Sequence, residues 1–366
     1  MHKKPKIAVI GFKGLPAYGG AGAIGELILN HLKTEFKFTV FSDSANTHLK
    51  TGYYNGYHQI VLKSINHQGL NFLLYFLKSA FHCLFKAKYD VIHVHHLAGA
   101  FVVPLLRLKY KNVIVTSHGM PDKTDKWSAI SWLYYPLMRF LFARFSKIIT
   151  TVTSLDQKHY KTYTNKEIIY IPNGIDQIPV KLPHEEFEND IFFAAGRIIS
   201  TKGCHVLLEA LIKNQFKGNL LIAGDLNQIE SYKKKILELS KQVNTKFLGL
   251  IKDKPLLLGY IKKSKLFVFP SSVEAMSMML LEVALTKTPI IASDIPENKV
   301  IFSDEEVLYF NTNDKDDLAN KINYANSHMS IMQQKAELAF KKLMTNYNIK
   351  NIAPQYAKLY NQLLNN

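Results

Sequence analysis

Short apolar runs alternate with longer amphipathic ones over the first 176 residues, and after a polar stretch the alternation starts again. This restart constrains the fold more than any other feature of the chain. In the first half the runs at 7–10, 38–41, 91–94, 113–117, 147–152 and 168–171 read as strands, and 23–33, 70–86, 97–108 and 127–145 carry helical periodicity. Asn173-Gly174 is a turn signal, and 176–189, with Pro179 and Pro183, reads as a linker. Strands then follow at 191–195, 219–223, 246–248, 266–269 and 289–292, with helices at 204–211, 230–242, 254–263, 278–284, 315–326 and 331–346. The last amphipathic segment is 353–364. Strands alternating with helices predict α/β architecture, a parallel sheet covered on both faces, in each half. The expected domains are 1–176 and 177–349, with a C-terminal helix at about 350–366 packing back near the first. Open parallel sheets bind ligands beyond the carboxyl ends of their strands. Two such halves facing one another would open both ligand edges into one interdomain cleft.

Composition narrows the classes. At 366 residues, 47% apolar and 20% charged, the chain is long enough for two ordinary domains and too apolar for disorder. Its two cysteines, Cys83 and Cys204, match neither a metal spacing nor a disulfide framework, and read as buried thiols. The apolar run after the basic start ends at Gly11, too soon for a secretory signal, and no run of 18 apolar residues occurs. The expected location is therefore cytoplasmic. Charge is unevenly placed: 1–176 holds 22 Lys and Arg against 9 Asp and Glu, or +13, leaving +4 of the total +17 for the rest. A basic first half implies an anionic partner, either nucleic acid or lipid headgroups.

The richest chemistry follows the strand at 266–269. There Glu274 and Glu282 are separated by seven residues, with Ser277 placed to cap a helix between them. Free amides from Met278 onward at that helix start would offer an anion site, and a carboxylate within the next turn and a half can accept the two protons of a ribose diol. By spacing alone, two solvated surface glutamates are the more ordinary reading. Upstream, Gly196 and Arg197 end the strand at 191–195, and Lys202-Gly203 follows five residues after the arginine. Arginine can fork across phosphate oxygens and lysine adds a point charge, though an ordinary strand-to-helix loop would look the same.

Together these elements resemble the family 4 retaining glycosyltransferases of the GT-B fold, two facing Rossmann-like domains. Glu274 and Glu282 match the family's Glu-x7-Glu element, and Gly196, Arg197, Lys202 and Gly203 match Gly-Arg-x4-Lys-Gly. Pro172-Asn173-Gly174-Ile175-Asp176, Ala223-Gly224-Asp225 and Phe247-Leu248-Gly249 fall in family order, so the resemblance covers nearly the whole chain. It implies that Arg197 and Lys202 bind a donor diphosphate, that amides of Ser277, Met278 and Met279 contact sugar and phosphate, that Glu282 holds ribose hydroxyls and Glu274 the transferred sugar, and that Gly249 borders the base. In the first half, the loop ending in Gly19-Gly20 is similar to the family's Gly-Gly loop, and His118 matches a histidine facing the transferred sugar. The resemblance implies no metal and no cofactor beyond the nucleoside-diphosphate sugar. His93, His95 and His96 cluster at another strand end, and without an acidic pair they read as lining rather than metal ligands. Three departures stand out: Ala275-Met276-Ser277 replaces Gly-Phe-Gly, Leu285-Thr286-Lys287 replaces Ala-Cys-Gly, and Gly22 replaces an acid. They leave the donor sugar and the acceptor open.

Segments 69–88 and 127–147 are basic, aromatic and amphipathic. Such helices either lie on a membrane interface or pack as core helices, and the sequence fits both. The charge of the first half favours a peripheral position on the anionic inner face of the cytoplasmic membrane. No recognised nucleic-acid motif is present, so nucleic acid is not among the expected partners. The expectation is transfer of a sugar from a nucleotide-sugar donor to a glycan or lipid-linked acceptor in cell-surface polysaccharide synthesis. The alternatives are a GT-B-fold epimerase acting on the nucleotide sugar itself, which would not need the basic, aromatic first half, and, behind it, a basic nucleic-acid-binding protein.

Overall fold

β-Branched and aromatic runs that are buried on both faces make the strands. The computed structural model describes residues 4–17, 20–119, 131–184 and 191–365. Its chain divides into Met1–Asp176 with Ile349–Asn366, and Gln177–Asn348. In the first unit the strands are β1 (Lys6–Ile10), β2 (Lys37–Asp43), β3 (Gly52–Tyr54), β4 (Tyr57–Leu62), β5 (Val91–His95), β6 (Val113–Ser117), β7 (Ile148–Thr151) and β8 (Ile168–Tyr170). They order as β3-β4-β2-β1-β5-β6-β7-β8. All neighbours run parallel except the hairpin β3–β4, which turns at Asn55-Gly56 with φ 48° and 91°, the positive pair a tight type I′ turn requires. β5 and β6 are buried at every position, His93, His95, Thr116 and Ser117 included, so neither shows the apolar-polar alternation of a half-exposed strand.

Helices Gly20–Leu32, Gln68–Phe81, Val103–Arg107, Ser131–Phe145 and Ser154–Tyr160 cover this sheet, and Ile349–Asn365 returns to it from the chain's end. That last helix starts at Ile349, whose amide donates to the Ile175 carbonyl at 3.0 Å. It buries Tyr356 and Tyr360, and the Tyr360 ring lies 5.3 Å edge-on from Phe36. The single helix expected over 70–86 divides, with α-helix to Phe81 and a wider π turn over His82–Lys86. The one expected over 97–108 begins as a 3₁₀ segment, Leu97–Val102, and becomes α-helical only where Pro104 occupies the first turn, the position that tolerates a missing N–H.

In the second unit β9 (Ile191–Arg197), β10 (Leu220–Asp225), β11 (Thr245–Gly249), β12 (Leu266–Phe269), β13 (Ile290–Ser293) and β14 (Leu308–Phe310) order as β11-β10-β9-β12-β13-β14, all parallel. Its core gathers Phe193, Leu207, Ile222, Val268 and Met332. Counting strands in chain order, this sheet runs 3-2-1-4-5-6, and the parallel strands of the first unit run the same way with β8 added at the edge. The order reverses between β9 and β12 in one sheet and between β1 and β5 in the other, and a crevice at such a switch point is where an open parallel sheet takes its ligand.

Candidate active site

At the switch point of the second unit two loops far apart in sequence are tied together. β9 runs out at Gly196 and Arg197, both exposed. A 3₁₀ turn, Ser200–Lys202, then leads to Gly203 at φ 71°, where a β-carbon would stand 2.0 Å from the Pro270 carbonyl oxygen. Only glycine permits that approach. Across it, the Thr201 carbonyl accepts from the Ser272 amide at 2.8 Å and from the Ser271 hydroxyl at 3.1 Å. This clasp delivers Lys202 to Glu274, Nζ to Oε1 2.5 Å, with the two side chains 24% and 13% exposed.

Beyond the clasp Ser277 caps helix Met278–Thr286, its hydroxyl accepting from the Leu280 amide at 3.4 Å. Glu282 lies on the second turn and is only 8% exposed. Its Oε1 accepts from Lys254 Nζ at 2.7 Å, while Oε2 is buried with no partner among the described residues. Burial pushes the Glu282 carboxyl above its ordinary range, and the Lys254 ammonium partly offsets this. Lys254 is the site residue that sequence reasoning missed. It opens helix Lys254–Lys263, five residues beyond Gly249, and a cation at a helix start, where the dipole disfavours it, is the signal that could have found it. Gly249, at φ 66°, ends β11 in open surroundings, as does Gly196, where no atom lies within 4 Å of an added β-carbon. The structure thus brings Lys202, Glu274, Ser277, Glu282 and Lys254 to one sheet end, with Met278 and Met279 half-buried at the helix start.

The switch point of the first unit carries different chemistry. Gly11, φ 117°, passes so close to β5 that a β-carbon would meet the His95 carbonyl oxygen at 2.1 Å. Its amide donates to the Tyr75 hydroxyl, which donates onward to the Phe41 carbonyl, both at 2.8 Å. Gly20 is the first residue of its helix, at φ 64°, and Gly19 lies outside the described residues. The loop is held by Glu26, another residue unmarked in the sequence: its carboxylate accepts from the Ala17 amide at 3.0 Å and from the Tyr57 hydroxyl at 3.2 Å. Gly22 is glycine because a β-carbon there would come within 2.9 Å of Ala17.

Four histidines collect at the ends of β5 and β6. His95 Nδ1 lies 2.9 Å from His118 Nε2, and the two rings stack at 5.2 Å. His93 is bonded to Tyr360 at 2.8 Å and to Thr116 at 2.6 Å. His96 adopts φ 93°, a backbone region rare for any residue with a side chain and typical of functional loops. Burial pulls His93 down to about 3 and, with help from Lys13, His96 to about 4; it holds His95 and His118 well below the usual imidazole range. All four are therefore neutral near pH 7, able to donate or accept a hydrogen bond but not to carry charge.

The whole chain is similar to known proteins. The family described as glycosyl transferases group 1 matches residues 175–339, and Glycosyltransferase Family 4 matches 18–177. The capsular polysaccharide biosynthesis glycosyltransferase CapH of Staphylococcus aureus is 26% identical over 228 residues, 59% of this chain and 62% of its own length, so the match spans under two thirds of that relative. The UDP-Gal:alpha-D-GlcNAc-diphosphoundecaprenol alpha-1,3-galactosyltransferase of Escherichia coli is 25% identical over 277 residues, 67% of this chain and 68% of its own. Among solved structures, sucrose-phosphate synthase from Thermosynechococcus elongatus shares the fold at a TM-score of 0.81 and 20% identity, covering 99% of both chains.

Proposed function

We propose, from the premise that this chain belongs to the family 4 glycosyltransferases of the GT-B fold, that it moves a sugar from a nucleoside-diphosphate sugar to a glycan or lipid-linked acceptor with the anomeric configuration kept. The observation that carries this reading is the pair of lysine–glutamate contacts at the β9/β12 switch point. Transfer breaks the bond between the sugar's anomeric carbon and the diphosphate, which leaves with its negative charge increased. Arg197, Lys202 and the amides at Met278 and Met279 are the groups that stabilise that charge. Glu282 accepts the ribose diol, and its unpartnered Oε2 is an acceptor ready for a second hydroxyl. Glu274 holds hydroxyls of the transferred sugar, and in the free protein it neutralises Lys202 until a phosphate takes the lysine over. His118, uncharged, contributes a hydrogen bond to the sugar. A phosphate oxygen of the donor takes the acceptor's proton. No bound metal is part of this proposal.

The activity in the name of the E. coli relative supports a UDP donor and a diphosphate-lipid acceptor, and the name of CapH supports a role in bacterial surface polysaccharide assembly. A peripheral place on the inner face of the cytoplasmic membrane completes the reading. No helix among the described residues is long and apolar enough to cross a membrane. Helix Gln68–Phe81 buries Tyr75 and Phe76 in the core but leaves Leu70, Leu73 and Phe81 exposed, with Phe85 stacked on Phe81 at 5.7 Å.

Glu282→Ala and Arg197→Ala are each expected to lower transfer roughly 100-fold, by analogy with removing one transition-state donor. The measurement is nucleoside diphosphate release with purified acceptor, with the product's anomeric configuration read by NMR. Near-wild-type turnover in both variants rejects the site. Because the Glu282 carboxyl titrates above its ordinary range, the ionised form that binds hydroxyls is lost earlier on acidification than for a free glutamate. Donor KM should therefore rise as pH falls through the mildly acidic range, and Glu282→Gln should flatten that profile.

A further inference from the structure

A cavity of about 540 Å³ opens in the first unit at the amino ends of β7 and β8, the end of the sheet opposite the histidines. Arg107, Arg144, Lys147 and Lys166 line it, and Glu167, itself exposed, is the one acid among its lining residues. Two of the cations are fixed. Lys166 Nζ donates to the carbonyls of Arg144 and Ser146, each at 2.8 Å, and Arg107 donates to the Tyr110 carbonyl at 3.3 Å and to that of Lys111. Burial lowers the Lys166 ammonium, and Arg144, Arg107 and Lys147 lower it further, as positive charges that repel one another do. A multiply charged anion seated among them would remove that repulsion.

The rim says where such an anion comes from. On helix Ser131–Phe145, Leu133, Leu137 and Phe140 are 65%, 50% and 59% exposed. They stand at i, i+4 and i+7, and Arg144 continues the same face into the cavity. The adjoining helix Val103–Arg107 ends in the same way: Leu105 and Leu108 are exposed beside Arg107. Two helices therefore present apolar side chains that run into one basic pocket, the order of groups met by a protein lying on an acidic bilayer.

We propose that this cavity binds the phosphate of an anionic phospholipid headgroup, with Leu133, Leu137, Phe140 and Leu108 entering the acyl boundary beside it. The anchor is a separate site from the donor and histidine ends of the two sheets, and it would hold the enzyme on its membrane whether or not substrate is bound.

The test is flotation of the full chain with vesicles of phosphatidylcholine alone or mixed with phosphatidylglycerol, beside titration with inorganic phosphate. Wild type should float only with the phosphatidylglycerol vesicles. R144Q/K147Q should lower the bound fraction at least about tenfold, given about 1 kcal/mol for each basic residue at an acidic surface. L137S/F140S should lower it too. K217Q/K234Q, which removes two exposed charges from the second unit, should float as wild type. Donor-induced thermal stabilisation, unchanged in all three, shows that the variants are folded and leaves the transferase reading independent of the result. Equal losses in the control and the pocket variants would mean a diffuse field and overturn the site. Wild-type flotation of R144Q/K147Q, or binding of inorganic phosphate without binding of vesicles, overturns it as well.

Discussion

The two units share a strand order and close their switch points with the same device, yet they place opposite chemistry there. In the first, Gly11 lets the β1 loop rest on the His95 carbonyl; in the second, Gly203 lets the β9 loop rest on the Pro270 carbonyl. Each sheet therefore brings the loop after its first strand against the carboxyl end of the parallel strand across the switch point. Above that shared closure the first unit buries neutral imidazoles, and the second sets lysines against glutamates. Topology decides where a ligand edge opens, and side chains decide what it can hold. A fixed set of ammonium groups and a helix start suits a diphosphate, whereas uncharged rings suit hydroxyls.

The closure is the first thing to break. Gly203→Ala and Gly11→Ala each put a β-carbon inside a backbone oxygen's radius at a positive φ, so loop and strand must separate. Each should cost more than about 3 kcal/mol, well above the usual effect of a single substitution. Gly249→Ala is the control: its φ is also positive, at 66°, but the added carbon meets nothing within 4 Å. It should cost about 1 kcal/mol, the left-handed penalty alone. Urea unfolding measures all three, and a Gly203→Ala chain as stable as Gly249→Ala would refute the clasp.

Legibility follows burial and distance along the chain. A strand buried on both faces, such as β12, announces itself as a continuous apolar run, and Glu274, Glu282, Arg197 and Lys202 sit in recognisable spacings. The hairpin β3–β4 was hidden because Tyr57–Leu62 is only half covered and is interrupted by His58 and Gln59. β14 was hidden because three residues carry too little pattern. Helices Ser154–Tyr160 and Pro296–Ile301 are likewise too short to show a period. Lys254 escaped for another reason. Its partner is 28 residues away, and their meeting depends on how helix Lys254–Lys263 lies beside helix Met278–Thr286. Glu26 escaped similarly, since the groups it holds, Ala17 and Tyr57, lie on either side of it in sequence.

Acid should separate the units next. His93 and His95 are buried and neutral, with folded pKa values below that of the unfolded chain near 6.5. A depressed histidine contributes stability that is full above the unfolded value and is lost as pH falls below it, toward the folded value of about 3 for His93. Each should cost about 1.4 kcal/mol per pH unit in that window. Glu282 is shifted the other way, so any contribution from its raised pKa is largest at low pH and is lost as pH rises. Hydrogen exchange followed by mass spectrometry between pH 7 and 4 should thus show β5 and β6 opening before β9 and β12. Simultaneous opening, or an unchanged slope in His93→Gln, would remove the contrast.

The smallest difference lies in two helix caps, each just after a strand. Thr153 follows β7 and accepts from the Asp156 amide at 2.9 Å, whereas Ser277 follows β12 and accepts from Leu280 at 3.4 Å. The shorter bond is the stronger, so Thr153→Ala should cost about 1 kcal/mol and Ser277→Ala a few tenths. Function should invert that ranking. If the start of helix Met278–Thr286 meets the donor phosphates, loosening it raises donor KM several-fold while hardly changing stability. Thr153→Ala, at a helix given no ligand, should lower stability and leave donor KM alone. Urea midpoints and donor titrations of the two variants measure both effects, and a Ser277→Ala enzyme with unaltered donor KM would take the helix start out of the donor site.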